Sequence, residues 1–218
     1  MAHTIYKTAD GTRVPGVTTI LGVLNKPALV PWANKMGLQG IDTTRYVDEL
    51  ADAGTLAHAM VLDYLSRKEE VWDGHFETDL SHYSEYQIEL ASNSFQSFYN
   101  WVMQHTIEPV VVEQPLVSEL YKFGGTPDLL ANIDGVSTLV DFKTGKAIYP
   151  EHYHQVAAYQ KLLEEHEFYS DEVMILRIGR TDDEGFEIKP VTSIEKHWQM
   201  FVHCHAIYEL QKQLRKGE

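Results

Sequence analysis

Apolar positions recur at helical spacing through the first half of the chain, then give way to short β-branched runs in the second. Residues 43–67 place Leu50, Gly54, Ala57, His58, Val61, Leu62 and Leu65 three or four apart, which predicts a long helix with one inward stripe. Residues 83–105 repeat the pattern with Ile88, Phe95, Phe98, Trp101 and Val102. Ahead of these, residues 17–24 read as a short helix opened by Thr18 and Thr19, and residues 28–37 as a second helix, divided from the first at Pro27. Residues 4–14 read as two short strands about the turn dipeptide Asp10-Gly11.

Beyond residue 105 the period changes. Val110, Val111 and Val112 form a compact β-branched run, as a buried strand requires. Residues 123–133 and 136–142 flank Asp134-Gly135, a strong hairpin signal. A helix over 151–165 follows Pro150, strands over 172–178 and 186–191 enclose the polar run Asp182-Asp183-Glu184-Gly185, and a helix over 194–215 comes last. The expected architecture is one α/β domain spanning residues 1–218, mainly helical over 1–105, with a sheet core and C-terminal helix over 106–218. Trp32, Trp72, Trp101 and Trp198 are core candidates first; Trp32, in a segment with Lys26 and Lys35, could also stack on an unpaired base.

Composition narrows the class. With 44% hydrophobic and 23% charged residues in 218, the chain can bury a sizeable core and is not compositionally disordered. No run of about 18 apolar residues is present, so no membrane span is expected. The first residues lack the apolar stretch of a secretion signal, and one cysteine, Cys204, allows neither an internal disulfide nor a four-cysteine metal site. A cytoplasmic or other reducing location is the expectation. The net charge of −14 argues at first against a polyanionic partner. Its distribution softens that: residues 1–50 carry +1, 51–120 carry −10 and 121–218 carry −5. Local field, rather than net charge, decides where a polyanion can lie.

The chemistry-bearing residues sit around the hairpin. In a strand, residues two apart share a face, so Asp141 and Lys143 project together and Phe142 points away. Asp128, after Gly124-Gly125-Thr126-Pro127, is expected on the partner strand and within reach of the same patch. Two carboxylates about 4–5 Å apart repel by roughly 3–4 kcal/mol at an effective dielectric near 20, so a cation must offset them. Lys143 is one candidate and a divalent metal is the other. Mg²⁺ takes one or two carboxylates and completes its shell with water and substrate phosphate. Such an ion eases deprotonation of water and takes up charge at phosphorus. Lys143 could orient or deprotonate that water, or neutralise the scissile phosphate. An isolated Asp-x-Lys is common and by itself uninformative. Gln155 and Tyr159 sharpen it, because they share a helical face twelve and sixteen residues after Lys143.

In this order, G-x-x-D, D-x-K-T and Q-x-x-x-Y resemble the RecB-like branch of the PD-(D/E)XK nucleases, and within it the phage exonucleases and the mitochondrial genome-maintenance exonuclease. Pro15-Gly16-Val17-Thr18-Thr19-Ile20-Leu21, followed by Leu29 and Trp32, is similar to that subgroup's N-terminal signature. Gly54-Thr55-Leu56-Ala57-His58 resembles its metal-ligating helix, and Glu113-Gln114-Pro115-Leu116 the strand before G-x-x-D. The resemblance implies a restriction-endonuclease-like core, with a mixed central sheet flanked by helices. It implies Mg²⁺ or Mn²⁺ held by His58, Asp128, Asp141 and the Phe142 carbonyl, with Lys143 as catalytic lysine. Gln155 and Tyr159 would lie near substrate phosphate or a base, with Thr144 also on the nucleic-acid side. Glu113 is left between metal ligand, lysine positioner and buried structural acid.

The implied reaction is hydrolysis of DNA phosphodiesters, favouring single-stranded or frayed ends. The alternatives are a structure-specific endonuclease, an RNase, or a catalytically silent nucleic-acid-binding protein on the same fold. Some relatives hold an iron–sulfur cluster through four cysteines, which this chain lacks, and Asp141 stands where most carry glutamate. No G-x-x-x-x-G-K-[ST] motif occurs, so any helicase, or recombination or replication motor, would be a partner. Zinc at His152, His154, His203 and His205 is a weak alternative, since H-x-H suits strands better than the helices expected there. The DNA path is expected along residues 1–50, with Thr18 and Thr19 at a helix start and Lys35 nearby meeting phosphate.

Overall fold

The computed structural model describes residues 4–67 and 76–217, so Trp72 lies outside the described residues. Two short strands, β1 (Tyr6–Lys7) and β2 (Arg13–Val14), pair about Asp10-Gly11 and lead into helix α1 (Val17–Leu21). Helices α2 (Leu29–Leu38), α3 (Thr43–Ser66) and α4 (Glu85–Val102) follow. Local chemistry sets the ends of the long helices. Asp42 accepts from the Thr44 and Arg45 amides at 2.9 and 3.2 Å to start α3. Ser84 and Gln87 cap each other's backbone at 3.2 and 2.9 Å to start α4.

The second half supplies the sheet. Strands β3 (Ile107–Val112), β6 (Leu129–Ile133), β7 (Val136–Lys143), β8 (Glu172–Ile178) and β9 (Phe186–Pro190) lie in the order β3-β6-β7-β8-β9. Within this sheet β7 and β8 pair in parallel and the other neighbours antiparallel; helix α5 (Pro150–Glu165) makes the crossover between β7 and β8. Strands β4 (Leu116–Ser118) and β5 (Phe123–Gly125) form a separate ribbon, and α6 (Ile194–Gly217) closes the chain. Asp134 and Gly135, at φ 51° and 91°, supply the left-handed pair that a two-residue hairpin between β6 and β7 demands.

The sheet separates two apolar layers. Leu130, Leu139, Val173 and Ile175 meet Val156, Leu162, Trp198 and Phe201 of α5 and α6 on one face. Leu129, Val140, Phe142 and Ile178 meet Leu56, Met60, Phe95 and Phe98 of α3 and α4 on the other. The mixed sheet flanked by helices matches the expected fold class.

Three local expectations change. The run 123–133 is not one strand: Pro127 offers no amide to a ladder, so the chain leaves the β4–β5 ribbon and re-enters the main sheet at Leu129. The stretch 113–116 is not a strand until Leu116, because Glu113, at φ 43°, turns the chain out of β3. Trp32 is not core. Helix α2 buries no residue, and Trp32 touches Tyr46 at 6.3 Å, whereas Trp101 and Trp198 are buried as expected.

Candidate active site

Alternation along β7 puts Leu139, Asp141 and Lys143 on the α5 side and Val140 and Phe142 on the α3 side. Asp141 is fully buried, and Lys143 Nζ stands 2.6 Å from its Oδ2. No hydrogen bond of regular geometry reaches either Asp141 oxygen among the described residues. A buried carboxylate left so poorly satisfied is uncommon and calls for a cation. Burial, only partly opposed by Lys143, pushes its pKa up to about 6, and the neighbouring Asp128 pushes the same way.

Asp128 stands immediately before β6. Its Oδ2 accepts the Phe142 amide at 2.8 Å, and its carbonyl accepts the Glu113 amide at 3.0 Å. The side chain therefore straddles the end of the hairpin opposite Asp141. Burial raises its pKa while Lys143 and the Phe142 amide oppose the rise. Glu113 reaches the group from the turn after β3; desolvation and the Asp128 charge hold its carboxyl above the ordinary range. The residue is solvent-exposed as a whole, while its carboxyl leans into the partly desolvated space beside Asp128 and His58.

Helix α3 brings His58 to the other side. Its Nδ1 lies 3.8 Å from Asp128 Oδ2, and its ring meets Phe142 edge-on at 6.3 Å. Burial, then the Lys143 charge, lowers its pKa to about 4, which leaves a neutral imidazole near pH 7 with a lone pair to donate. The close approach of α3 depends on Gly54: a Cβ there would fall 2.7 Å from Thr144 Oγ1. Gly54→Ala therefore sets a clash against about 1 kcal/mol of helix propensity. We expect the single variant to melt below the wild type and Gly54→Ala/Thr144→Ala to recover the loss. An unaltered melting temperature in Gly54→Ala would show that the contact is slack.

Gln155 and Tyr159 come together on α5 as the spacing predicts, with Gln155 Nε2 donating to the Tyr159 hydroxyl at 2.9 Å. Tyr159 is buried, and a Cβ on Gly125 would meet its ring at 2.7 Å. Burial and the two aspartates drive its phenol pKa well above normal. Tyr159 is thus a buried wall beside the carboxylates, and the half-buried Gln155 is the member of the pair nearer the surface.

The expected nucleic-acid contacts are more scattered. Gly16, not a threonine, caps α1, and no side-chain cap forms; Thr18 and Thr19 lie exposed within the first turn. That turn does sit beside the strand leading to Asp128, because the Gly124 amide donates to the Pro15 carbonyl at 2.9 Å. Lys35 is exposed in the last turn of α2, while Lys26 is drawn to Glu151 at 2.6 Å. The four histidines considered for zinc disperse: His152 Nδ1 accepts from the Tyr149 amide, His154 faces His197 at 3.2 Å, His203 is exposed and His205 packs on Phe201. The His154–His197 contact was invisible in the sequence because 43 residues separate the partners.

Among the described residues no three His, Cys, Asp or Glu close into a preformed metal cage. The donor set at Asp128 and Asp141 nevertheless fits a hard divalent ion, which needs only one or two carboxylates and otherwise keeps water. The Asp141 carboxylate, whose one close polar neighbour among the described residues is the Lys143 ammonium, and the neutral His58 could both serve it. A cavity of about 300 Å³ elsewhere, lined by Val102, Met103 and His105 among others, contains none of these residues.

A search among curated proteins finds no significant match. A solved structure of a candidate exonuclease from Eubacterium rectale aligns at TM-score 0.48 and 12% identity, over 76% of this chain and 68% of that one. An alkaline exonuclease from Laribacter hongkongensis aligns at TM-score 0.34 and 16% identity, over 60% and 73% respectively. At such scores the family assignment rests on sequence, where residues 34–216 match the PD-(D/E)XK nuclease superfamily across nearly the whole chain. The chain belongs to the PD-(D/E)XK nuclease superfamily.

Proposed function

We propose that this nuclease is a divalent-metal-dependent deoxyribonuclease that hydrolyses phosphodiester bonds at single-stranded or frayed DNA ends, leaving a 5′-phosphate and a 3′-hydroxyl. One observation carries the reading: Asp141 is fully buried beside Asp128, with only the Lys143 ammonium, 2.6 Å from its Oδ2, to balance the two carboxylates. Nucleases of this superfamily generally use divalent metals such as Mg²⁺. Here Asp128, Asp141, the Phe142 carbonyl and His58 would hold Mg²⁺ or Mn²⁺. When bound, the ion supplies Lewis acidity that withdraws charge from the scissile phosphate.

The remaining work falls to the chain itself. Lys143 places an ammonium over the reacting patch, where it orients the attacking water and balances phosphate charge. Glu113 takes the role of a positioning acid for that lysine or water, because it is exposed beside Asp128. Gln155 and Thr144 contact the strand, Tyr159 backs them, and Thr18, Thr19 and Lys35 guide the flank. The acidic segment 51–120, at −10, disfavours duplex flanks and so favours a thin strand. Among the described residues no helix is long and apolar enough to cross a membrane. A cytoplasmic or similarly reducing setting suits the single buried Cys204.

A gel comparing circular single-stranded, linear single-stranded and duplex DNA, with RNA alongside, in Mg²⁺ and Mn²⁺ tests this reading. Cleavage of the linear single strand with the circle spared supports it; a degraded circle makes the protein an endonuclease, and RNA cleavage alone makes it an RNase. His58→Ala should raise the metal concentration needed for activity yet keep cleavage at high Mn²⁺, since both carboxylates remain. Wild-type behaviour at low metal would return His58 to a structural role.

A further inference from the structure

A second cavity, of about 250 Å³, opens between the start of α3, the start of α4 and the loop after β8. Tyr46 and Leu50 line it from α3, Tyr86 from α4, Lys146 from beyond β7, and Arg180 and Glu184 from beyond β8. Lys146 and Arg180 thus stand just outside the carboxyl ends of the two parallel strands, the position where open α/β sheets take ligands.

Helix α3 connects this cavity to the carboxylates. Tyr46, Leu50, Gly54 and His58 follow one another at intervals of four; the first two line the cavity, the third abuts Thr144 and the fourth stands beside Asp128. At 1.5 Å per residue, the cavity lies about 12–18 Å along the helix from His58.

Its chemistry suits a flat, uncharged ring better than a phosphate. Arg180 is consumed by Glu184, through Nε at 3.0 Å and Nη2 at 2.7 Å, and the floor of the cavity is therefore a neutralised pair. Lys146 and Asp183 add one rim charge of each sign. Two phenol rings supply the apolar surface: Tyr86 is 52% exposed, and Tyr46 is backed by Trp32 at 6.3 Å. The volume is below the range of about 300–1,000 Å³ typical of pockets for larger ligands.

We propose that this cavity binds one unpaired nucleobase of the substrate strand, stacked on Tyr46 or Tyr86, within about five nucleotides of the cleaved bond at 3.4 Å per stacked nucleotide. The proposal rests on the nuclease reading above and names a subsite for it. It would favour unpaired strands, because a paired base cannot enter, and it requires no base identity, since every base presents a π-face.

The test is steady-state cleavage of a short single-stranded oligothymidylate in Mn²⁺, with one abasic residue moved stepwise away from the cleaved bond. We expect KM to rise about 5- to 150-fold, the scale of one base–aromatic stack, at one register within that distance, with kcat little changed. Tyr46→Ala or Tyr86→Ala should raise KM on the intact strand and erase the penalty at that register. Tyr46→Phe and Tyr86→Phe should retain it, because stacking does not need the hydroxyl. A flat abasic scan, or a penalty that persists in both alanine variants, overturns the subsite while leaving the nuclease reading intact. Failure of the wild type to cleave any nucleic acid in Mg²⁺ or Mn²⁺ removes both.

Discussion

Asp141→Asn is expected to lower cleavage by about 100-fold or more while the folded, metal-free protein melts no lower than the wild type. The loss follows from removing a ligand whose ion contributes several kcal/mol to the transition state, at about 1.4 kcal/mol per tenfold. The retained stability follows from the burial of Asp141. Its carboxylate sits inside with only Lys143 against it, and burial outweighs that ammonium enough to push its pKa up to about 6. Asparagine is nearly isosteric and carries no charge to desolvate. Lys143 loses its counter-charge in the variant, but its side chain keeps 17% exposure and can reach water. Thermal melts in a chelator and cleavage assays in Mg²⁺ read the two effects separately. Full Mg²⁺-dependent activity in this variant would dismantle the metal-site assignment.

Lys143→Ala is expected to lose cleavage too, but with the opposite signature in stability. It strands the Asp141 charge in the interior, and removing one partner of a buried ion pair costs about 3–5 kcal/mol. Protonation of Asp141 relieves part of this, so the lower end applies; for a chain of this length that is a fall of about 6–12 °C in the metal-free melting temperature near pH 7. Two rescues are expected. Adding Asp141→Asn should restore most of the loss, because the stranded charge is gone. Adding Mn²⁺ to the single variant should also restore it, because the lysine is not a ligand and binding stabilises by mass action. Calorimetry in which metal binding vanishes with the lysine would contradict this division of roles between Lys143 and the carboxylates.

The contrast between these variants shows where the information lies. Alternation along β7 decided from sequence that Asp141 and Lys143 share a face and that Phe142 leaves it, because a strand has only one way to place residues two apart. The four-residue spacing of Gln155 and Tyr159 likewise decided that they meet, and they do, at 2.9 Å. Asp134-Gly135 fixed the hairpin that brings Asp128 across from Asp141, since few dipeptides enter that turn without strain. Helical spacing over residues 43–67 placed Gly54 and His58 on a stripe with the core residues around them.

What sequence could not decide is which member of a pair reaches solvent, or which segments meet across long gaps. Tyr159 is legible as a partner of Gln155, but its burial depends on Gly125 leaving room for the ring, 34 residues away in the chain. Gly54 is a poor helix former wherever it stands; only the packing of α3 against the end of β7 shows that Thr144 needs the space. Pro127 announces a break, yet not that the two sides of the break join different sheets. The cavity beside Tyr46 had no sequence signal. Its walls come from α3, α4 and the loops after β7 and β8, and only the parallel pairing of those strands brings Lys146 and Arg180 to one rim. Local periodicity is set by backbone geometry and can be read along the chain. Burial and convergence are set by packing between distant segments, and the tertiary structure alone decides them.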